Sequence, residues 1–322
     1  MPAEPYLLQL TMRLADGLAE LPESVRALHI AYLLSAQNSD GGFSGREGGS
    51  DLYYTGFGLR GLAVLDVLTP EVCRRAAAFL RRSLTQQASV VDFFSLLYAC
   101  ALVQLGGEDV LAGSPADWPD RVAATLETFR TPDGGYAKVA GGTGGSVYHT
   151  FLVGLCYQLL GRPMPRMDEV ARFIGSRHRE DGGYVEIAPM RRSGTNPTAA
   201  AVGLLQMVEA EGGPGLDGET KESVVQFLAD MASPEGGLRG NGRAPVADLL
   251  STFTGIWTLH QLGALDRIDA AAALHYAQAL EMAGGGFRGG LWDERADVEY
   301  TFYGLGCLAL LTPGPRSPAG RG

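Results

Sequence analysis

"SDGGFSGREGGSDLYYTGFGLRGLAVL", residues 39–65, joins a glycine-rich turn to an apolar segment that opens on Asp-x-x-Tyr-Thr. The same order of events recurs along the chain. Glycine doublets stand at Gly41-Gly42, Gly134-Gly135, Gly182-Gly183, Gly236-Gly237 and Gly285-Gly286, separated by 93, 48, 54 and 49 residues. Taking 93 as two periods with one doublet lost, the chain is an array of units of about 50 residues. Each doublet follows a helical segment such as "VRALHIAYLLSAQ". Each is followed by an aromatic or leucine, a short connection and a second, more apolar segment. A glycine just past a helix end takes the left-handed conformation that stops the helix, so the doublets read as structure.

The second segments are "DLYYTGFGLRGLAVL", "SVYHTFLVGLCYQLLG", "NPTAAAVGLLQMV", "DLLSTFTGIWTLHQLG" and "DVEYTFYGLGCLALL", with "VVDFFSLLYACALVQLGG" as the unit that lacks its doublet. Their apolar and small residues recur at helical spacing, and no comparable stretch alternates with period two. An all-α chain is predicted. Helices apolar nearly all round belong between an outer helical layer and a central cavity.

The 322 residues are 46% hydrophobic, enough to bury a large core, and carry a net charge of −10. Their basic residues form no run longer than a pair, which argues against nucleic acid and against an anionic membrane surface. Cys73, Cys100, Cys156 and Cys307 are far apart with no paired spacing, and read as reduced thiols of a cytoplasmic protein. No signal peptide and no membrane span is expected. Residues 1–312 are expected to form one domain, and 313–322, rich in Pro, Gly and Arg, a disordered tail.

If the units close into a ring, the starts of the inner helices converge at one end of a funnel, where helix N-termini attract anions. The first-turn acids Asp51, Asp248 and Asp297 would cap those helices. Aromatic and small residues of the same helices would line the wall, among them Tyr54, Phe57, Phe94, His149, Phe253, Trp257, Tyr300, Phe302 and Tyr303. Such a cavity suits a long hydrocarbon carrying a diphosphate. The other histidines, His29, His178, His260 and His275, read as packing or surface residues.

The doublet turn followed by Asp-x-x-Tyr-Thr, over roughly residues 24–312, resembles the β subunits of the protein prenyltransferases and the related squalene and terpene cyclases. The nearest likeness is to the Rab geranylgeranyltransferase β subunit. The resemblance implies an (α/α)6 toroid, an isoprenoid diphosphate ligand, with which magnesium could bind, and, in the transferases, a catalytic zinc held by Asp-x-Cys and a histidine. In this chain those positions are Asp248, Leu250 and Tyr300, so zinc is not expected. The family's cationic loop corresponds to "GGLRGNGRAPVAD", which supplies Arg239 and Arg243; the family's histidine position falls on Ser146. In the cyclases a middle acid protonates an alkene, and "DVEYT" puts Asp297, Glu299, Tyr300 and Thr301 in that register. The reading is a prenyltransferase-like protein acting on an isoprenoid diphosphate. Its alternatives are a cyclase that begins by protonation and a non-catalytic isoprenoid-binding or subunit-interaction protein. Catalytic roles fall to Asp248, Asp297, Glu299 and Tyr300. Substrate contacts fall to Asp51, Tyr54, His149, Arg239, Arg243, Phe253, Trp257 and Tyr303. A protein partner or a homodimer is left open.

Overall fold

In the computed structural model, which describes residues 4–84 and 87–312, these residues form thirteen α-helices, one 3-10 turn and a two-residue antiparallel ladder between Phe287–Arg288 and Ala296–Asp297. The expected tail, 313–322, lies outside the described residues. Six helices make an inner ring: α3 (Leu52–Val64), α5 (Val90–Leu105), α7 (Val147–Leu159), α9 (Thr195–Ala210), α11 (Leu249–Gln261) and α13 (Val298–Leu311). Each packs on the next, and α13 packs back on α3, so the ring is closed. Before them in sequence come the outer helices α2 (Glu23–Ser35), α4 (Pro70–Arg82), α6 (Trp118–Glu127), α8 (Met167–Gly175), α10 (Gly218–Asp230) and α12 (Ala270–Ala279). This is an all-α toroid of six helix pairs.

The doublets hold the outer layer together. The first glycine of each has a positive φ, from 85° to 98°, and its Cα lies against a backbone carbonyl of the following outer helix. Gly41 meets Arg75 of α4, Gly134 meets Glu169 of α8, Gly182 meets Ser223 of α10 and Gly236 meets Ala272 of α12. The last, Gly285, meets Leu28 of α2 and so carries the circle past its own ends. His29 reinforces that closure: its Nδ1 accepts from the Gly286 N–H at 3.2 Å, and its ring stacks on Phe287 at 4.8 Å. The unit without a doublet lies between α4 and α5, as the spacing predicts.

Within each unit the threonine of the Asp-x-x-Tyr-Thr pattern ties turn to helix. The hydroxyls of Thr55, Thr150, Thr198 and Thr252 each accept, at 2.9 Å, the N–H of the residue after the doublet; Thr301 does so at 3.2 Å. All five threonines are fully buried. Neighbouring units are stitched at the same level, where the first N–H of an inner helix donates to the next unit's loop: Val90 to Lys138, Val147 to Glu186, Thr195 to Gly240 and Leu249 to Gly289. The inner helices therefore start at one common end.

The other end is closed by α1 (Tyr6–Ala19), which packs on α13 and α3. Tyr6 reaches across the ring. Its amide donates to Gln158 of α7, its hydroxyl accepts from Trp257 of α11 at 2.8 Å, and its ring lies edge-on to Phe151. No helix among the described residues is long and apolar enough to cross a membrane.

Candidate active site

The closed ring encloses a cavity of about 390 Å³ that opens at the inner-helix starts and has Tyr6, Leu7 and Leu10 of α1 in its lining. Counting from each helix cap, the wall is built from the second, fifth, sixth and ninth residues, the face that a 3.6-residue period presents to one side. On the second position stand Tyr53, Tyr148, Asn196, Leu250 and Glu299; deeper come Phe57, Arg60, Phe94, Phe253, Trp257, Phe302 and Tyr303. Phe253, Trp257 and Tyr303, expected as substrate contacts, are therefore wall residues.

Residues at the third position turn away from the cavity. Tyr54, His149 and Tyr300 are absent from its lining. The Tyr54 ring packs on Gly45, and the Tyr300 ring packs on Gly289 with the Arg46 guanidinium 5.4 Å from its centre. His149 keeps its Nδ1 buried without a partner, and burial, aided by Lys138, lowers its pKa. One residue on a helix is about 100° of rotation, enough to move a side chain from wall to seam.

Three acids are caps. Asp51, Asp248 and Asp297 accept the N–H groups of Tyr54, Ser251 and Tyr300 at 2.7, 2.7 and 2.9 Å. Ser89 and Ser146 do the same for Asp92 and His149. Side chains thus take a first-turn N–H of α3, α5, α7, α11 and α13, which leaves fewer donors for an anion at those helix starts, whereas α9 has no side-chain cap. Asp248 also takes the Ser251 hydroxyl at 2.8 Å, and burial raises its pKa. Asp297, 6% exposed, is held by Arg46 Nε at 2.9 Å, and burial raises its pKa in spite of that partner. The same arginine grips Asp293 with both terminal nitrogens, at 2.8 and 2.5 Å.

The expected cationic loop lies elsewhere. Arg239 spends its guanidinium on the carbonyls of Asp230 and Met231, at the C-terminal end of α10, and Arg243 is exposed on the loop with no side-chain partner among the described residues. Neither lines the cavity. The donors a zinc ion would need are missing as well: Leu250 offers hydrocarbon, Tyr300 faces the seam and both Asp248 oxygens are engaged. No group of three metal-ligating side chains converges among the described residues.

Glu299 is the acid that does reach the cavity. Its Oε1 accepts the Tyr53 hydroxyl at 2.6 Å and the Tyr303 hydroxyl at 3.2 Å. Burial raises its pKa, and the nearby Asp297 charge adds to the shift; the two phenols and Arg60 act against it without cancelling it. A second carboxylate, Glu186, reaches the wall from a loop, accepting the Ser146 hydroxyl and the Tyr148 N–H. Sequence reasoning missed Tyr53, Arg60, Tyr148 and Glu186. The first three stand at wall positions that a consistent count from the caps would have found.

Residues 24–79 and 73–315 match the model of the prenyltransferase alpha-alpha toroid domain. No curated protein matches the sequence. Among solved structures the chain is similar to Candida albicans protein geranylgeranyltransferase-I complexed with GGPP, at 15% identity over 89% of this chain and 91% of that one, with a TM-score of 0.62. It is similar to the type II terpene cyclase MstE from Scytonema, at 14% identity over 92% and 98%, with a TM-score of 0.61. The GH76A alpha-1,6-mannanase from Salegentibacter sp. HEL1_6 is similar at 12% over 94% and 98%, with a TM-score of 0.58. At such identities the likeness is one of fold, and the three neighbours carry three chemistries.

Proposed function

The chain belongs to the prenyltransferase alpha-alpha toroid family, and from that premise we propose that it binds an isoprenoid in its central cavity and cyclises it, with Glu299 as the initiating acid. The observation that carries this reading is a carboxyl of raised pKa inside an aromatic wall. Protonating an alkene calls for a carboxyl shifted toward its protonated form and a surface that tolerates positive charge. Burial supports the first requirement, and the π faces of Phe57, Phe253 and Phe302 support the second.

The step balances within the substrate. The Glu299 proton passes to one alkene carbon, whose π electrons form the new C–H bond. The cation left on the adjacent carbon is captured by a second alkene, forming a C–C bond. A proton is finally lost from carbon to a base, for which this reading assigns Glu186. Product and substrate are isomers. Prenyl transfer from a diphosphate is less well supported, because Arg46 is already engaged by Asp293 and Asp297 and no zinc-ligand set converges among the described residues. A glycan is disfavoured by the hydrocarbon of Leu152, Leu155, Ala200 and Leu250.

Replacing Glu299 with Gln keeps size and polarity but removes the titrating proton. Turnover of a geranylgeranyl substrate to a cyclised isomer, followed by mass spectrometry and chromatography, is expected to fall by about 10²–10⁴-fold with binding retained. Unchanged turnover in the Gln variant would remove Glu299 from the reaction.

A further inference from the structure

Arg60 is a charged side chain the proposed reaction does not use. It stands in the third turn of α3, 9% exposed, and lines the cavity. Its guanidinium lies 4.3 Å from the centre of the Phe57 ring, 5.1 Å from Phe94, 5.0 Å from Tyr98 and 6.0 Å from Phe302. These rings meet its positive charge with π density. A guanidinium carries five N–H donors, and among the described residues no hydrogen bond or ion pair is made by any of them; Nε is buried and unpaired. Beside it the Ser95 hydroxyl, also buried, has no partner. Both flank Gly56, where a methyl group would stand 3.3 Å from Arg60 Nη2 and 3.8 Å from Ser95 Cβ. Orphaned buried donors of this kind require an explanation.

The wall is uneven in the same sense. Below the rim, where α7 and α9 bring Tyr148 and Asn196, the deeper wall carries Arg60 and Tyr303 on α3 and α13, whereas the facing α7 and α9 contribute Phe151, Leu152, Leu155, Ala199 and Ala200. A fully hydrocarbon ligand would bury Arg60 without returning any hydrogen bond, at a cost a charged group avoids by finding a partner. A planar or tetrahedral oxyanion with two adjacent oxygens fits the open edge of a guanidinium in bidentate fashion.

We propose that the isoprenoid bound in this cavity carries an anionic group, a carboxylate or a phosphate, that pairs with Arg60 within the aromatic box and not with the rim. The inference rests on the isoprenoid reading and names the chemical class of its substrate. It gives the cavity two charged stations, an anion site on α3 and a proton donor on the adjoining α13. An amphipathic ligand is thereby fixed in one orientation, its apolar chain against α7 and α9.

The test is calorimetric binding of geranylgeranoic acid, geranylgeranyl phosphate and the neutral alcohol geranylgeraniol to the wild-type chain and to Arg60→Met and Arg60→Lys. An anion bound at Arg60 makes the acid or the phosphate bind about 10- to 100-fold more tightly than the alcohol. Whichever anion gains the advantage identifies the source of the oxyanion. Arg60→Met is expected to bring acid, phosphate and alcohol to one affinity, and Arg60→Lys to keep part of the difference. Equal affinities for all three in the wild-type chain would overturn the inference and leave isoprenoid binding standing. Binding of none would overturn both. An anion preference left unchanged in both Arg60 variants would place the anion elsewhere and overturn the inference; Arg60→Lys carries that comparison even if Arg60→Met fails to fold.

Discussion

Glu299 is held by groups that pull in opposite directions, and the balance fixes the sign of its pH dependence. Burial and the Asp297 charge favour the neutral acid; the Tyr53 and Tyr303 hydroxyls and the Arg60 charge favour the carboxylate; the net pKa is raised. A folded-state pKa above the unfolded one contributes stability that is complete below the unfolded value and lost as pH rises through the folded value. That window opens above the ordinary glutamate value of about 4.3. Asp297, Asp248 and Asp51 are raised as well, while Asp293, Asp133, Glu127 and Asp217 are lowered and act with the opposite sign. Only a difference isolates one residue. Denaturant unfolding of wild type and Glu299→Gln should show a gap that changes against wild type as pH rises across the window; a constant gap would contradict the raised carboxyl. The sequence placed Glu299 in the acid register of the cyclases yet also named Tyr300, which turns to the seam. The inner helices are apolar on every side, so hydrophobic periodicity could not say which of two adjacent residues meets the cavity.

At the scale of an element, the junction of turn and inner helix is made by the buried threonine. Thr301 accepts the Phe287 N–H and donates to the Asp297 carbonyl at 2.6 Å, so one hydroxyl joins the last turn to the cap of α13. Thr301→Val keeps the shape and orphans a buried N–H, with a cost of about 1–3 kcal/mol. Denaturant unfolding measures it; a change under about 0.5 kcal/mol, the scale of an ordinary surface substitution, would show that the hydroxyl is not what joins them. Gly285→Ala strikes the same junction from outside, because the position has φ of 85° and the added methyl would lie 2.5 Å from the Leu28 carbonyl oxygen. It should lower the unfolding midpoint together with Thr301→Val in size and direction, and an unchanged midpoint would deny Gly285 a part in closure. The doublets and the helices between them were legible in the sequence, since glycine leaves a sharp local signal. The threonines were visible in the repeated motif, but their partner lies 12 residues back for Thr55 and 14 for the others, and no local pattern names it.

The whole molecule is a ring whose two ends must find each other. At four junctions backbone amides stitch one unit to the next; at the seam Arg46 joins Gly285 and His29 in closing the ring, leaving the first loop to hold Asp293 and Asp297 of the last unit. The Arg295 guanidinium returns a bond to the Arg46 carbonyl. Arg46→Ala strands two buried carboxylates and should cost about 2–3 kcal/mol, read by denaturant unfolding. Retention of full stability would show that packing alone closes the ring. Ring closure was inferable from the count of units, whereas Arg46 sits 247 and 251 residues from its partners and α1, which closes the far end, belongs to no repeat. The same closure brings Tyr53 of α3 to Glu299 of α13, so the proposed acid exists only in the assembled circle. The most direct test of that acid is turnover of a geranylgeranyl substrate in D₂O, with wild type and Glu299→Gln compared by mass spectrometry. Cyclisation begun by Glu299 predicts a cyclised isomer carrying one deuterium on carbon from the wild-type chain, formed about 10²–10⁴-fold more slowly by the variant. A product without carbon-bound deuterium, or one that has lost a diphosphate, would contradict it.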